Sequence, residues 1–304
     1  MFKVNNVSKK FRNDFWEKDF FALEDVSFEI NPGEIVGFLG ANGAGKTTFL
    51  KILLRFISTT SGEVEFSKDL GEGNDVFANL GYMPERPYYY PHLSGREFLD
   101  YCGRLQDLDS ETIKEKSIYW AKELKIDFAL DRLIKSYSKG MLQRLGFVST
   151  LIHDPKLIIL DEPLSGLDPL GRKEFKDILV RLHKEGKTVF FSSHIVSDVE
   201  EICQRVVVLE KGKLMYTGAI DNLILDNIKP VYNISIVKNV SVQEKYSNEY
   251  THSNDELSFF EIPINQKNSF LEKLFQDGVE IAGVEKSKVS LESVIYNLQG
   301  EAKL

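Results

Sequence analysis

Short apolar runs separated by helical spacings recur along the first 220 residues and predict alternating strands and helices. Residues 34–39, which are uncharged from Ile35 onward, lead into a glycine-rich loop, and Leu50, Leu53 and Leu54 after the loop follow helical spacing. Leu157–Leu160 is continuously apolar, as expected of a central parallel strand covered on both faces. This pattern predicts an α/β fold with a mostly parallel sheet.

Further apolar runs extend this prediction. Residues 26–39 read as two strands around a turn, residues 189–191 and 206–209 as two more buried strands, and residues 210–213 as the turn of a hairpin. Residues 88–134 instead mix apolar side chains with many charged ones, which indicates a mostly helical insertion.

The pattern changes after Gly218 and predicts a second, small α+β domain. Its predicted elements are, in chain order, a strand, a polar loop, a second strand and two helices, at residues 231–242, 239–255, 259–262, 266–276 and 291–298. We therefore assign residues 1–218 to the first domain, with its helical part near residues 88–152, and residues 219–304 to the second.

Composition narrows the class of protein. The 304 residues are 42% hydrophobic and 28% charged, which is ordinary for a globular protein. A net charge of −8 argues against a general nucleic-acid binder, because such proteins carry basic surfaces. Cys102 and Cys203 lack metal-ligand spacing and are expected to be reduced thiols. Since the first residues hold no apolar signal segment and no run approaches the ~20 apolar residues that cross a bilayer, we expect a cytoplasmic chain.

A phosphate-binding pattern, G-x-x-x-x-G-K-[ST], fills residues 40–47. The residues expected to hold a nucleotide there are Gly40, Asn42, Gly43, Ala44, Gly45, Lys46, Thr47 and the adjoining Thr48. Glycines let the backbone curl so that its N–H groups point at phosphate oxygens, Lys46 supplies a positive charge, and the Thr47 hydroxyl is a hard ligand for Mg²⁺. A chance glycine turn is the alternative, but the strand before it and the helix after it favour a nucleotide site.

Two carboxylates, Asp161 and Glu162, directly follow the buried run of residues 157–160. Ligands of open α/β sheets bind at the carboxyl ends of the strands. We therefore expect Asp161 to hold Mg²⁺, directly or through water, and Glu162 to act as the general base that polarises a water. The alternative is a solvated acidic pair at a strand end, which the phosphate loop upstream disfavours.

Three further motifs complete a family resemblance. Residues 138–144 read Ser-Lys-Gly-Met-Leu-Gln-Arg, residues 165–168 read Ser-Gly-Leu-Asp, and Ser-Ser-His at residues 192–194 ends a predicted strand. In this order they resemble the ATP-binding subunit of an ABC transporter over residues 1–218. The resemblance implies a P-loop NTPase core in which an antiparallel β subdomain and a helical insertion accompany the mostly parallel sheet. The tail, which closes with residues 290–296, resembles the accessory domain of many exporter ATPases.

The resemblance implies ATP and Mg²⁺ as ligands and assigns roles to named residues. The implied catalytic residues are Lys46, Glu162 and His194, the last as a switch histidine at the γ-phosphate. The implied ATP contacts outside the phosphate loop are Phe11, Glu85, Ser138, Gly140 and Asp168. The implied Mg²⁺ ligands are Thr47, Glu85 and Asp161. Two such subunits would sandwich two ATP molecules, with Ser138 and Gly140 of each reaching the ATP of the other.

Two departures from the family pattern resemble one branch of it. In the signature, Lys139 replaces a glycine and Met141 replaces a glutamine, and Glu85 stands where the family has a glutamine. A carboxylate can still bind Mg²⁺ or water, but it repels phosphate more than an amide does. Multidrug-type and sodium-type exporters share these departures, so the resemblance implies that the chain powers an exporting permease.

An aromatic side chain that stacks on adenine is expected before the phosphate loop. Phe11 matches the family position best, and Phe15 and Phe20 remain rivals because residues 13–20 resemble a short insertion. A place in the core is equally open to each of these rings.

The expected partners are an integral-membrane permease and a second ATP-binding subunit, identical or not, at the inner face of the cell membrane, without nucleic acid. Three tyrosines at residues 88–90 lie where the family faces its permease, although packing within the helical insertion would also explain them.

The alternative function is that of a soluble ABC ATPase acting on ribosomes or DNA. Such proteins usually carry two cassettes or a long coiled coil, and the sequence shows neither. A small-molecule kinase would have no use for the Ser138 signature. The presence of Glu162 and His194 argues against a non-catalytic partner in a heterodimer.

Overall fold

The structure, a computed structural model, describes residues 1–11, 20–227, 231–286 and 291–301, so Phe15 lies outside the described residues. The chain divides into two compact units, Met1–Ile220 with Leu298–Leu304, and Asp221–Asn297. Across the described residues, every helix is too short or too polar to span a membrane. The assignment of functional domains to residues 1–218 and 219–304 stays a prediction.

Strands and helices alternate through most of the chain. The strands of the described residues are β1 (Phe2–Phe11), β2 (Phe20–Ile30), β3 (Ile35–Leu39), β4 (Ser61–Phe66), β5 (Leu80–Met83), β6 (Leu157–Leu160), β7 (Thr188–Ser193), β8 (Arg205–Glu210), β9 (Lys213–Ala219), β10 (Val231–Val237), β11 (Tyr250–Ser253), β12 (Leu257–Pro263) and β13 (Ile281–Lys286). The α-helices are α1 (Lys46–Leu53), α2 (Gly95–Leu105), α3 (Ser110–Glu123), α4 (Lys139–Leu151), α5 (Pro169–Lys184), α6 (Val196–Ile202), α7 (Ile220–Asn227), α8 (Val240–Lys245), α9 (Lys267–Gln276) and α10 (Leu291–Glu301).

The central sheet of the first unit has the strand order β5-β6-β7-β3-β8-β9. All its neighbouring strands are parallel except the β8–β9 hairpin. The apolar run of β6 lies between β5 and β7, and all four of its residues are fully buried. The predicted mostly parallel sheet, its central strand and the hairpin are therefore confirmed.

A second sheet, with the antiparallel order β2-β1-β4, completes the core of this unit. Aromatic rings join the two sheets through α1: the Phe49 centroid lies 5.1 Å from that of Phe28 on β2 and 5.3 Å from that of Phe38 on β3. Phe49 is fully buried. Because burying a ring of this size stabilises a fold by about 2–3 kcal/mol, this packing anchors the helix that follows the phosphate loop.

Capped helices fill the segment predicted to be helical. Ser94 and Glu97 form a capping box at the start of α2, and Asp109 accepts backbone hydrogen bonds at the start of α3. Tyr89 packs under this segment, where its hydroxyl donates to the carbonyl of Leu142. The prediction of a mostly helical segment agrees with these elements.

The second unit has the antiparallel strand order β11-β12-β10-β13, packed by α8 and α9 around Ile234, Phe260 and Phe270. Two expectations here are wrong. The predicted strand of residues 231–242 ends at Val237, because α8 begins at Val240. Residues 239–255 are not one loop, since they contain α8 and β11.

Candidate functional site

The phosphate loop connects β3 to α1 and depends on glycine where its backbone is left-handed. Gly43 has φ 84° and Gly45 has φ 106°, values that side chains rarely tolerate. A Cβ on Gly45 would also lie 2.5 Å from the carbonyl oxygen of Ala22. Both the left-handed backbone and the lack of room for a Cβ therefore require a glycine at Gly45.

The Lys46 side chain folds back into the phosphate loop. Its Nζ donates to the carbonyl of Gly40 at 2.6 Å and to that of Ala41 at 3.4 Å, and it lies 3.7 Å from Glu162 Oε1. The residue is only 6% exposed. A buried ammonium held by carbonyls and one carboxylate is positioned to accept a polyanion.

Asp161 lies at the end of β6 in a hydrogen-bonded network. It accepts hydrogen bonds from the Ser192 hydroxyl at 2.6 Å and from the Thr47 hydroxyl at 3.3 Å, and it is 2% exposed. Burial raises the pKa of Asp161 above that of an exposed aspartate, and the two hydroxyls oppose this shift. The network joins β6 and β7 to the phosphate loop.

The oxygens of Thr47 and Asp161 fit a hard divalent cation. Mg²⁺ prefers such oxygens and keeps much of its shell from phosphate and water, and its charge would offset the burial of the carboxylate. The part of the chain that the structure describes contains no group of three or more His, Cys, Asp or Glu side chains able to hold a metal.

Glu162 and His194 face each other across the ends of β6 and β7. Glu162 Oε2 lies 2.8 Å from His194 Nδ1. The Glu162 backbone is left-handed, with φ 50°, and its N–H donates to the Ser192 hydroxyl at 2.9 Å. Such strain in a non-glycine residue often marks a functional position.

Charged residues on α5 and α6 fix the helix that follows His194. Asp198 on α6 is buried and pairs with Arg172 and with Lys176, whose Nζ lies 3.7 Å away. Because α6 begins two residues after His194, this cluster holds the strand end that carries the histidine.

Residues of the phosphate loop, together with Asp161, Glu162 and His194, line one cleft of about 620 Å³. The predicted site residues that line it are Asn42, Gly43, Gly45, Lys46, Thr47, Thr48, Glu85, Asp161, Glu162 and His194. The predicted residues that do not line it are Phe11, Gly40, Ala44, Ser138, Gly140 and Asp168. The lining residues to which sequence reasoning assigned no role are Phe21, Ala22, Ala41, Ser165, Lys211 and Gly212.

Aromatic rings form one end of the cleft. Phe20 and Phe21 line it and are 50% and 48% exposed. The Phe11 ring stacks on Phe20 at 5.7 Å, with the Lys9 ammonium 5.2 Å from the Phe11 centroid. The structure thus places the rival Phe20 on the cleft and Phe11 behind it. The assignment of the adenine-stacking ring stays a prediction.

The signature residues lie apart from this cleft, at the start of α4. The Ser138 hydroxyl oxygen accepts a hydrogen bond from the Met141 N–H at 3.3 Å and so caps the helix. The Lys139 side chain lies over Gly166, where a Cβ would come within 2.8 Å of Nζ. The Gln143 amide donates to the carbonyl of Pro163 at 2.8 Å. The signature is thus attached to the loop after Glu162, while Ser138 and Gly140 do not line the cleft of their own chain.

Asp168 caps α5. Its Oδ1 accepts a hydrogen bond from the Gly171 N–H at 3.0 Å. The carboxylate thus has a structural partner at the end of the loop that begins after Glu162.

Comparisons with known proteins identify a family. The family model described as ABC transporter matches residues 23–165. An uncharacterized ABC transporter ATP-binding protein of Synechocystis is 40% identical over 218 residues, which cover 70% of this chain and 61% of that protein, so the match spans less than two thirds of that relative.

A second relative and a solved structure match more of their own lengths. The uncharacterized ABC transporter ATP-binding protein YxlF of Bacillus subtilis is 34% identical over 298 residues, which cover 97% of this chain and 98% of that protein. A structure described as the ATP-binding subunit of an ABC transporter matches with a TM-score of 0.65 and 26% identity, covering 74% of this chain and 92% of that one.

Proposed function

The chain belongs to the ABC transporter family as an ATP-binding ATPase subunit, and on that premise we propose that it powers a separate membrane permease through ATP-driven closure of a subunit dimer. One observation supports the proposed dimer: Ser138 and Gly140 lie outside the cleft that residues of the other motifs line. Ser138 is exposed and Gly140 is half-exposed in the first turn of α4. Both can therefore meet the cleft of another subunit.

Within one subunit, the cleft holds the nucleotide. Backbone N–H groups of the phosphate loop and the start of α1 receive the phosphates. Lys46 exchanges its carbonyl contacts for the outer phosphates, and an aromatic ring of the Phe20–Phe21 end packs on the base. Thr47, Asp161 and Glu85 would hold Mg²⁺, which would neutralise negative charge on the outer phosphates.

Hydrolysis follows from the groups at the γ-phosphate end. Glu162 takes a proton from water as the water oxygen bonds to the γ-phosphorus and the bond to the bridging oxygen of ADP breaks. His194 donates a hydrogen bond to the γ-phosphate and orients Glu162, which it already contacts at 2.8 Å. Ser138 and Gly140 of the second subunit supply further donors, so hydrolysis weakens the contact that holds the dimer closed.

We also propose a docking surface for the permease at the inner face of the membrane. Tyr88 and Tyr101 are 81% and 43% exposed, and both rings meet Tyr90 edge-on at 5.8 Å and 5.7 Å. Exposed, pre-organised tyrosines are typical of protein interfaces. The proposed direction of transport is export, since Lys139 and Met141 are the departures of the exporter branch.

Mixing two inactive variants tests the shared sites. Lys46→Ala disables the phosphate loop. Ser138→Asp keeps a helix cap but sets a negative charge against the γ-phosphate. Each variant alone is expected to be inactive. A 1:1 mixture regains activity, about a quarter of the wild-type rate if subunits pair at random and sites act independently, because each heterodimer contains one site with both groups intact.

The readout is phosphate release by the purified chains. The control is a mixture of Lys46→Ala with the Lys46→Ala/Ser138→Asp double variant, in which no pairing assembles a complete site. A variant mixture no more active than the sum of its parts would rule out sites shared between subunits.

Replacing Asp161 by asparagine tests the Mg²⁺ assignment. The amide can still accept from Ser192, but it binds the cation weakly, so we expect the Mg²⁺-dependent gain in ATP affinity to fall about tenfold or more. The melting temperature of the nucleotide-free chain should rise, because burial raises the pKa of Asp161 and an amide avoids that cost of burying a charge.

Titration with ATP, with and without Mg²⁺, measures the first effect and thermal unfolding the second. Asp154→Asn is the matched control, because this exposed carboxylate pairs with Lys187 away from the cleft. An unchanged Mg²⁺ effect in Asp161→Asn would contradict the assignment.

A further inference from the structure

We infer that Lys211, on the turn between β8 and β9, is an additional nucleotide-binding residue that contacts the α- and β-phosphates on the side of the phosphate loop away from Glu162. The inference rests on the proposed ATP site and adds to it a residue outside every motif that identified the site.

The sheet order sets the position of Lys211. β3, which leads into the phosphate loop, lies between β7 and β8. Glu162 and His194 follow β6 and β7 on one side of β3, whereas Lys211 follows β8 on the other. Lys211 lines the same cleft as those groups. It therefore borders the nucleotide from the flank opposite to the hydrolytic pair.

Backbone hydrogen bonds hold the turn against the phosphate loop. The Gly212 N–H donates to the Ala44 carbonyl at 2.9 Å, and the Gly212 carbonyl accepts from the Glu24 N–H at 2.8 Å. A Cβ on Gly212 would lie 2.8 Å from the carbonyl oxygen of Ala22. The turn is thus tied to the phosphate loop and to β2, whose Phe20 and Phe21 form the aromatic end of the cleft. Lys211 belongs to that end rather than to the γ-phosphate end.

The Lys211 backbone is left-handed, with φ 47°. The two-residue hairpin turn, in which Gly212 also has a positive φ of 80°, requires this conformation, which costs a lysine about 1 kcal/mol. Asparagine tolerates the same conformation better. The turn itself therefore gives no reason for a lysine at this position, and the feature that sets the lysine apart is its charge.

The charges that line the cleft indicate a phosphate-binding role for the Lys211 ammonium. Three carboxylates line the cleft, those of Glu85, Asp161 and Glu162, and the lysines that line it are Lys46 and Lys211. Lys46 already has carbonyl partners and lies near Glu162. Among the residues that the structure describes, the Lys211 ammonium has no hydrogen-bond or ion-pair partner. A nucleotide polyphosphate supplies the counter-charge that Lys211 lacks.

Lys213 provides a matched control on the same hairpin. Its Nζ pairs with Glu24 Oε2 at 3.3 Å, and it does not line the cleft. Lys211→Gln and Lys213→Gln therefore remove the same charge from neighbouring positions, only one of which faces the nucleotide. Lys211→Asn repeats the charge removal with a residue suited to left-handed backbone, which separates loss of charge from a changed turn.

Calorimetric titration of the full chain with MgATP and with MgADP tests the inference. Lys211→Gln and Lys211→Asn are expected to raise both dissociation constants about three- to tenfold and by the same factor, since the contact lies away from the γ-phosphate. Lys213→Gln is expected to stay within about twofold of the wild type.

Each outcome decides the matter. Equal affinities of the Lys211 and Lys213 variants, or a loss confined to MgATP, would overturn the Lys211 assignment while leaving the ATP site in place. A wild-type chain that binds neither nucleotide would overturn the proposed function together with this inference.

Discussion

Replacing Glu162 by glutamine is expected to lower ATP turnover by about 10²- to 10⁴-fold while ATP binding is retained. Glutamine has the size of glutamate and can still hydrogen-bond His194 Nδ1, which lies 2.8 Å from the carboxylate. It cannot take the proton of the attacking water. Because the change also removes a negative charge 3.7 Å from Lys46 Nζ, repulsion of the γ-phosphate falls and the ATP-bound dimer should accumulate.

Steady-state phosphate release and the oligomeric state with ATP measure these effects. Glu200→Gln is the matched control, since Glu200 is exposed on α6 and outside the cleft. Turnover of Glu162→Gln within tenfold of the wild-type rate would show that Glu162 is not the base.

Replacing Lys46 by alanine is expected to weaken ATP binding about 100-fold. Hydrogen bonds to a charged donor contribute about 1.5–3 kcal/mol each, and a loss of about 2.8 kcal/mol corresponds to a factor of 100. The variant also loses the donor that braces the Gly40 carbonyl from within the loop. ADP binding should fall less than ATP binding, because one of the phosphates that Lys46 reaches is absent.

Calorimetric titration with both nucleotides measures the difference. Lys51→Ala removes a lysine from the exposed side of the same helix, in its last turn, and is expected to bind ATP as the wild type does. If Lys46→Ala kept its ATP affinity within threefold, the ammonium would serve only to brace the loop.

The central sheet could be predicted from the sequence because its strands are buried on both faces. Residues 157–160 are apolar without interruption, and no amphipathic alternative competes for them. β1 offered no such signal: its ten residues alternate only in part, with a left-handed Asn6 and register shifts that interrupt the pairing. The antiparallel sheet was therefore expected from the family resemblance and not from the pattern of β1.

In the tail, local capping overrode strand periodicity. The alternation of residues 231–242 continues past Val237, but the Asn239 side chain accepts a hydrogen bond from the Val242 N–H at 3.4 Å and starts α8. An asparagine before Val240 was the available signal. Side-chain capping of this kind competes with strand pairing.

The lining of the cleft could be predicted where a motif carries its own chemistry, as at Lys46 and Asp161. Phe21 and Lys211 carry no motif: they reach the cleft because β2 and the β8–β9 turn are placed there by tertiary contacts. The sequence also pointed to Phe11 for adenine, whereas the pairing of β1 with β2 sets Phe11 behind Phe20.

The left-handed backbone at Glu162 separates two acids that are adjacent in the chain. The turn leaves Asp161 enclosed beside Ser192, while Glu162 opens towards His194. Burial is the largest cause of the raised pKa of Asp161, and the charge of Glu162 is a smaller one. One bend in the main chain thereby gives two adjacent acids different surroundings. In the proposed mechanism Asp161 keeps its charge through every cycle, and Glu162 gains and releases a proton in each.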